Sequence, residues 1–304
     1  MRISFITMQN SLVNSVDRQT EDIARLTNES SSGLKLTAPS DDPLAYSQAM
    51  NITQELSEVE TFNDNINFAT SWIQTTDTAL SDMLEQLQNA KTTAISAVNV
   101  ASDSVTSTAN AETIQQILEQ VLSLANTQYD GRYLFGGTAD LTSTQAFTMD
   151  SSGNVTYNGD DGSLVVRTGN GSTNKMTVNI TGNDLMTYTA SDGTTTDILT
   201  TLYNLKQAIT AGDTDAIQTY EDDLDLAMDQ LSSLESSVGA KLNRLDSQAS
   251  TLSNLKSSKT STLSDLQDAD YTEVLTQLTQ KQTAYSATLE VISTLAGLSL
   301  TKYL

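Results

Sequence analysis

Tyr271 to Leu304 reads YTEVLTQLTQKQTAYSATLEVISTLAGLSLTKYL, and its rhythm decides how the rest of the chain is read. Tyr271, Leu275, Leu278, Gln282, Tyr285, Leu289, Ile292 and Ala296 recur at spacings of four and three, the a/d pattern of a helix that packs on another helix. Only Gln282 interrupts the apolar seam, and no Gly or Pro falls before Gly297. Burying a large apolar side chain is worth roughly 1.5–3 kcal/mol, so a covered seam gains on the order of 10–15 kcal/mol. Ordering the backbone costs about 1–2 kcal/mol per residue. An uncovered helix does not recover that cost, so the stretch is expected to order only when something covers it.

The amino terminus holds a counterpart. Phe5, Met8, Leu12, Val16, Ile23 and Leu26 run at helical spacing up to Gly33. Together with Tyr271, Leu275, Leu278, Tyr285, Leu289 and Ile292 they form the candidate assembly interface. Charge separates the same regions. Residues 1–36 carry no net charge and the stretch from Asp270 carries -1, while the whole protein carries -23. Near-neutral ends can pack against other copies, whereas an acidic middle must face water.

Composition removes whole classes of function. There is no His and no Cys among the 304 residues, which excludes His general bases, thiol nucleophiles and His/Cys zinc sites. The strong negative charge argues against nucleic acid or an anionic membrane as partner. Met1-Arg2-Ile3-Ser4-Phe5-Ile6-Thr7-Met8 lacks the apolar core and cleavage site of a secretory signal, and no run of eighteen apolar residues suggests a membrane span. No residue is expected to be catalytic, to bind a metal or to hold a cofactor.

Both prolines lie in Thr37-Ala38-Pro39-Ser40-Asp41-Asp42-Pro43. Asp42 suits the cap of a following helix and Pro43 its first position, where a missing N–H costs nothing. Asp41 and Asp42 could also be metal ligands, but acid at a helix start is the reading the dipole favours. From there Ile52, Leu56, Val59, Asn63, Ile66, Thr70, Ile73, Asp77, Leu80, Leu84, Leu87, Lys91 and Ala94 keep a heptad rhythm of coiled-coil length. In that reading Asn63, Asp77 and Lys91 are register devices or slight misphasings. A Ser/Thr-rich interruption follows near Ala101 to Thr108, then a helix marked by Ile114, Leu118, Val121 and Ala125.

Ten of the 14 glycines fall between Gly131 and Gly193, so the texture there changes to short strands and tight turns. Val155/Tyr157, Leu164/Val166 and Met176/Val178/Ile180 alternate as strands do. Helices resume near Asp197, turn at Gly212-Asp213 and run long from Ile217 to Leu252 with one stutter. The acid run Glu221-Asp222-Asp223-Asp225 is expected on a solvated face. The predicted fold is therefore mainly α, a long antiparallel helical bundle or coiled coil formed by both chain ends with a small β-rich insert. Residues 1–42 and 265–304 supply terminal helices that order on assembly, 43–136 and 197–264 the long-helix bundle, and 137–196 the surface insert.

Several motifs are recognisable. Met1-Arg2-Ile3-Ser4, Ser32-Gly33-Leu34-Lys35, Ser40-Asp41-Asp42-Pro43, Asn65-Ile66-Asn67-Phe68-Ala69 and Asp77-Thr78-Ala79-Leu80 resemble the amino-terminal half of the flagellin family. Val238-Gly239-Ala240-Lys241-Leu242-Asn243-Arg244-Leu245, Asp268-Ala269-Asp270-Tyr271 and Leu298-Ser299-Leu300 resemble its carboxy-terminal half. Met1 to Ser4, Tyr133-Leu134-Phe135-Gly136-Gly137-Thr138 and the ending Tyr303-Leu304 are similar to family members that join hook to filament, although Lys302-Tyr303 departs from the usual acidic-Tyr pair.

The resemblance implies a structural subunit of the bacterial flagellum, self-assembling at the hook–filament junction. It implies export through the flagellar apparatus without a cleaved signal. Its implied partners are copies of itself, a neighbouring hook-associated protein, flagellin and an export chaperone. The alternatives are flagellin itself and, more remotely, a carboxylate-based hydrolase or a secreted coiled-coil adhesin or needle-tip protein. Five Asn-x-Ser/Thr triplets, at Asn28, Asn51, Asn154, Asn170 and Asn179, carry little weight in a protein so rich in Ser and Thr.

Overall fold

The computed structural model describes residues 5–99, 104–141, 144–171 and 174–300, with side chains from Thr7 to Thr294. Met1 to Ser4, the Tyr303-Leu304 ending and the Phe5 side chain lie outside the described residues. The protein divides into two compact units, 1–58 with 255–304, and 59–254. The expected insert, 137–196, lies within the second unit.

In the first unit α1 (Phe5–Ser32) and α7 (Tyr271–Leu300) pair, and the start of α2 (Pro43–Asn99) and the end of α6 (Thr214–Gln267) complete it. Asp42 accepts hydrogen bonds at 3.0 Å from the Leu44 and Ala45 N–H groups, which fixes the start of α2 with Pro43 at its first position. Lys259 on α6 pairs with Glu55 on α2 at 2.5 Å.

The second unit is built on two stripes of α2, Val59, Ile66, Ile73, Leu80, Leu87 and Ala94 beside Phe62, Ala69, Thr76, Met83, Ala90 and Ala97, all buried. The first stripe is the predicted one. The second lies one residue before the predicted partners Asn63, Asp77, Leu84 and Lys91, so those polar residues flank the seam. The sequence masks this phase because small Ala residues and a Thr line the second stripe. Thr76 enters it by returning its hydroxyl to the Trp72 carbonyl at 2.9 Å. Lys91, at the seam margin, reaches Asp225 of α6 at 2.7 Å.

Against this core pack α3 (Ser104–Ala125) and α5 (Ile198–Ala211), joined at their surface by Lys206 donating to Gln115 Oε1 at 2.9 Å. Asp197 caps α5 by accepting from the Thr200 N–H, and Gly212 ends it in the left-handed conformation. Among the described residues no helix is long and apolar enough to cross a membrane.

Among the described residues the strands form four separate antiparallel hairpins. These are β1 (Gln128–Tyr129) with β2 (Arg132–Tyr133), β3 (Phe147–Met149) with β4 (Val155–Tyr157), β5 (Val165–Arg167) with β6 (Lys175–Thr177), and β7 (Thr187–Thr189) with β8 (Thr195–Asp197). The one-turn helix α4 (Gly182–Met186) precedes β7. Strands of two or three residues are too short to stand alone, and each hairpin is fastened to a helix. Tyr129 stacks edge-on to Trp72 and Phe68 of α2. Asn126, just past α3, exchanges two 2.9 Å hydrogen bonds with the Phe147 backbone. Asn65 of α2 donates to the Arg167 carbonyl at 2.9 Å, while the Arg167 guanidinium lies 5.9 Å from the Phe62 ring.

Asp223 of α6 accepts from the Ser191 N–H in the β7–β8 turn at 2.8 Å and is only 6% exposed. This corrects the reading of the acid run as a solvated face. Of its members Asp222 is exposed, Asp223 is buried, and Asp225 is engaged by Lys91.

The Tyr133 to Thr138 motif closes the attachment. Leu134 and Phe135 are wholly buried, and Gly136-Gly137-Thr138 wraps Asp160. The Asp160 carboxylate accepts from the Thr138 N–H at 2.5 Å and the Gly162 N–H at 3.0 Å. The Thr138 N–H foremost holds the Asp160 carboxyl below the usual carboxylate range. Gly137 has φ +69, and a Cβ there would overlap the Asp160 carbonyl, so only glycine fits.

Candidate assembly interface

The α1–α7 pair is antiparallel. Gln19 donates to Thr288 Oγ1 at 3.2 Å, Asp22 meets Lys281 at 2.7 Å, and the Tyr271 ring lies over Gly33. Asp22 is held below the usual carboxylate range, first by the hydrogen bond from Lys281.

Leu26 is buried at 1% exposure, and Leu12, Val16 and Ile23 are half-buried. From α7, Leu278, Tyr285 and Ile292 are likewise half-buried. The structure thus brings these seven predicted residues to partly or fully covered positions in the paired helices. Four others point out, with Met8 at 39%, Tyr271 at 52%, Leu275 at 49% and Leu289 at 42% exposed. The covered stripe of α7 is Val274, Leu278, Lys281, Tyr285, Thr288 and Ile292, which also runs at four-three spacing but includes a charge and a hydroxyl.

A search for apolar residues alone overlooks Lys281 and Thr288, whose polar ends find Asp22 and Gln19 across the pair. The predicted four-three spacing passes over Val13 and Val291, each 47% exposed. Leu275, Thr279, Thr283 and Ala287 line a shallow groove along α7. Among the described residues of α1 and α7, Leu26 and Val274 alone are buried apolar side chains. The pair therefore presents uncovered apolar surface.

The linkers that bring these helices together are themselves paired. The Lys35 N–H donates to the Gln267 carbonyl at 2.7 Å, and the Ala269 N–H to the Gly33 carbonyl at 2.8 Å, which makes a bridge between Leu34 and Asp268. Lys35 Nζ adds a bond to the Asp265 carbonyl at 2.9 Å.

Asp41 accepts from the Ala38 N–H at 2.8 Å, the Thr37 N–H at 3.0 Å and the Thr37 hydroxyl. The Ala38 N–H is the largest cause of its carboxyl lying below the ordinary range. Asp41 thus closes the turn while Asp42 caps α2, and the two carboxylates are engaged by backbone rather than aimed at a shared ion. Asp270 caps α7 in the same way through the Thr272 and Glu273 N–H groups.

Comparison with known proteins agrees with this geometry at both ends of the sequence. The model of the bacterial flagellin N-terminal helical region matches residues 3–140, and that of the C-terminal helical region matches 222–304, well over half of the chain together. Flagellar hook-associated protein 3 of Escherichia coli is 24% identical over 289 residues, 89% of this chain and 89% of that protein. The protein of the same name from Salmonella typhimurium is 24% identical over 319 residues, 99% of this chain and 98% of that protein. The flagellar junction protein of Legionella pneumophila shares the fold, with a TM-score of 0.61 at 17% identity over 73% of this chain and 100% of that one. With both terminal helical regions matched in order, and with those same regions forming the paired helices, the chain belongs to the flagellin family.

Proposed function

We infer that the protein is a structural subunit of the bacterial flagellum, self-assembling where the hook meets the filament and seating flagellin on the hook. The observation that carries this reading is the likeness, over nearly full length at both sides, to proteins named flagellar hook-associated protein 3. The α1–α7 pair supplies the means, since Met8, Val13, Tyr271, Leu275, Leu289 and Val291 stand exposed on helices with little buried surface of their own. Neighbouring copies, a second hook-associated protein and flagellin are the partners such a surface would take, and an export chaperone would cover it before delivery. Terminal helices with so few buried side chains order on assembly, because only a partner supplies the missing burial. Export through the flagellar apparatus would deliver it to that place.

Immunogold labelling of whole flagella with an antibody against residues 140–195 tests the placement. A single cluster at the hook–filament joint is the expected result. Label along the filament would make this protein a filament subunit, and no label on flagella would overturn the flagellar reading.

A further inference from the structure

Two Asn-Gly steps occur in the sequence, Asn158-Gly159 and Asn170-Gly171, and the fold places them in different surroundings. Asn158 is tied at both ends, its side chain donating to the Gln145 carbonyl at 3.0 Å and its N–H to the Ala146 carbonyl at 2.9 Å. The Tyr157 ring closes the space beside Gly159. Asn170 is exposed at the tip of the β5–β6 hairpin, beyond the Thr168–Asn174 hydrogen bond. Gly171 has φ +95, and nothing lies within 4 Å of where a Cβ would stand. The Asn174 side-chain amide donates to the Asn170 carbonyl at 2.5 Å.

We propose that Asn170 is a site of spontaneous deamidation, assisted by Asn174. Hydroxide removes the Gly171 N–H proton, and the nitrogen attacks Asn170 Cγ. The new bond from this nitrogen to Cγ closes the five-membered succinimide. The bond from Cγ to Nδ2 breaks, and Nδ2 takes up a proton from water and leaves as ammonia. Water then opens one of the two ring C–N bonds, which yields aspartate or isoaspartate. The Asn170 carbonyl belongs to the same peptide unit as the attacking nitrogen. The negative charge on that unit, once its nitrogen is deprotonated, resides largely on this oxygen, which the Asn174 N–H is placed to stabilise. The absent Cβ leaves the approach open. At the other step the Tyr157 ring fills the space beside Gly159.

The test incubates the full-length protein at mildly alkaline pH and follows each peptide by mass spectrometry, with protein isoaspartyl methyltransferase marking isoaspartate. The expected result is loss of the Asn170 amide about tenfold or more faster than that of Asn158, equivalent to at least about 1.4 kcal/mol in barrier. Asn174→Ala should slow the reaction several-fold, and Asn170→Gln should abolish the signal in that peptide. Equal rates at the two steps would overturn the site. An unchanged or faster rate in Asn174→Ala would overturn the role of Asn174.

Discussion

Among the described residues, forty-four buried apolar side chains from Val59 to Leu252 join in one contiguous cluster, whereas the unit made from the two chain ends holds four that stand apart from it, Leu26, Leu36, Ala49 and Val274. Both units are built mainly from long helices. The difference lies in what covers the apolar stripes. In the second unit α3, α5 and the hairpins lie over α2 and α6. In the first, α1 and α7 have chiefly each other. A two-helix pair buries one stripe per helix and leaves the other flanks to water, which is too little to offset the entropy of ordering them. On the function proposed above, we infer that this contrast divides the protein into a part whose fold is self-supporting and a part whose fold depends on neighbours.

The most drastic way to test that contrast is to delete residues 271–304. Assembly onto hooks should be lost entirely, while the denaturation of the second unit, followed by the fluorescence of the single tryptophan, Trp72, should be unchanged. Trp72 is 1% exposed among Phe68 and Tyr129, so its emission reports that core. A truncated protein that still assembles, or whose Trp72 transition collapses, would break the division.

Next in size is Phe135→Ala. Phe135 is wholly buried beside the Gly136-Gly137 turn, and its loss should lower the stability of the second unit by about 3–5 kcal/mol in a urea titration. A loss under about 1 kcal/mol would mean that the hairpins sit on the core without belonging to it.

The smallest effect is electrostatic. The Asp22 carboxyl is held low by Lys281. Its contribution is therefore present above the ordinary carboxylate range and lost as pH falls through the depressed value. Both side chains are partly exposed, at 35% and 43%, which limits the pair to about 0.2–1 kcal/mol. Far-ultraviolet circular dichroism should show terminal-helix signal declining in acid in the parent protein. In Lys281→Ala the Asp22 carboxyl returns toward its ordinary value, so that acid step should shrink. An identical acid profile in both proteins would show that the pair contributes nothing to the terminal helices.

Much of this was legible in the residues. Gly33, Asp42-Pro43, Asp197 and Gly212 punctuate the helices because capping and chain reversal are local chemistry, decided within a few positions. The heptad phase of α2 was half legible, since its second stripe is written in Ala69, Thr76, Ala90 and Ala97, which carry little apolar signal. On α7 the inward face includes Lys281 and Thr288, and the residues that make them fit lie more than 250 positions away, at Asp22 and Gln19. The burial of Asp223 was not legible at all. Its partner is a backbone N–H in a turn 32 residues earlier, and no spacing rule connects them. Nor could the hairpins be seen as attached to the helices, because Asn65, Asn126 and Asp223 read as ordinary polar residues until the fold brings a carbonyl or an N–H to them.

The bridge between Leu34 and Asp268 has a consequence for the order in which the molecule is completed. Its two strands are more than two hundred residues apart in sequence, and closing so long a loop costs on the order of 5 kcal/mol in conformational entropy. Synthesis runs from the amino terminus, so Gly33 and Lys35 exist long before Gln267 and Ala269. The second unit, being continuous from 59 to 254, can fold while they wait, and in doing so it shortens the loop still to be closed. The linker joint thus forms after the second unit, and its closure reports that synthesis has passed Ala269. In a polypeptide that stops short of Gln267, the Lys35 N–H lacks the carbonyl that it bonds here, and the first linker stays open.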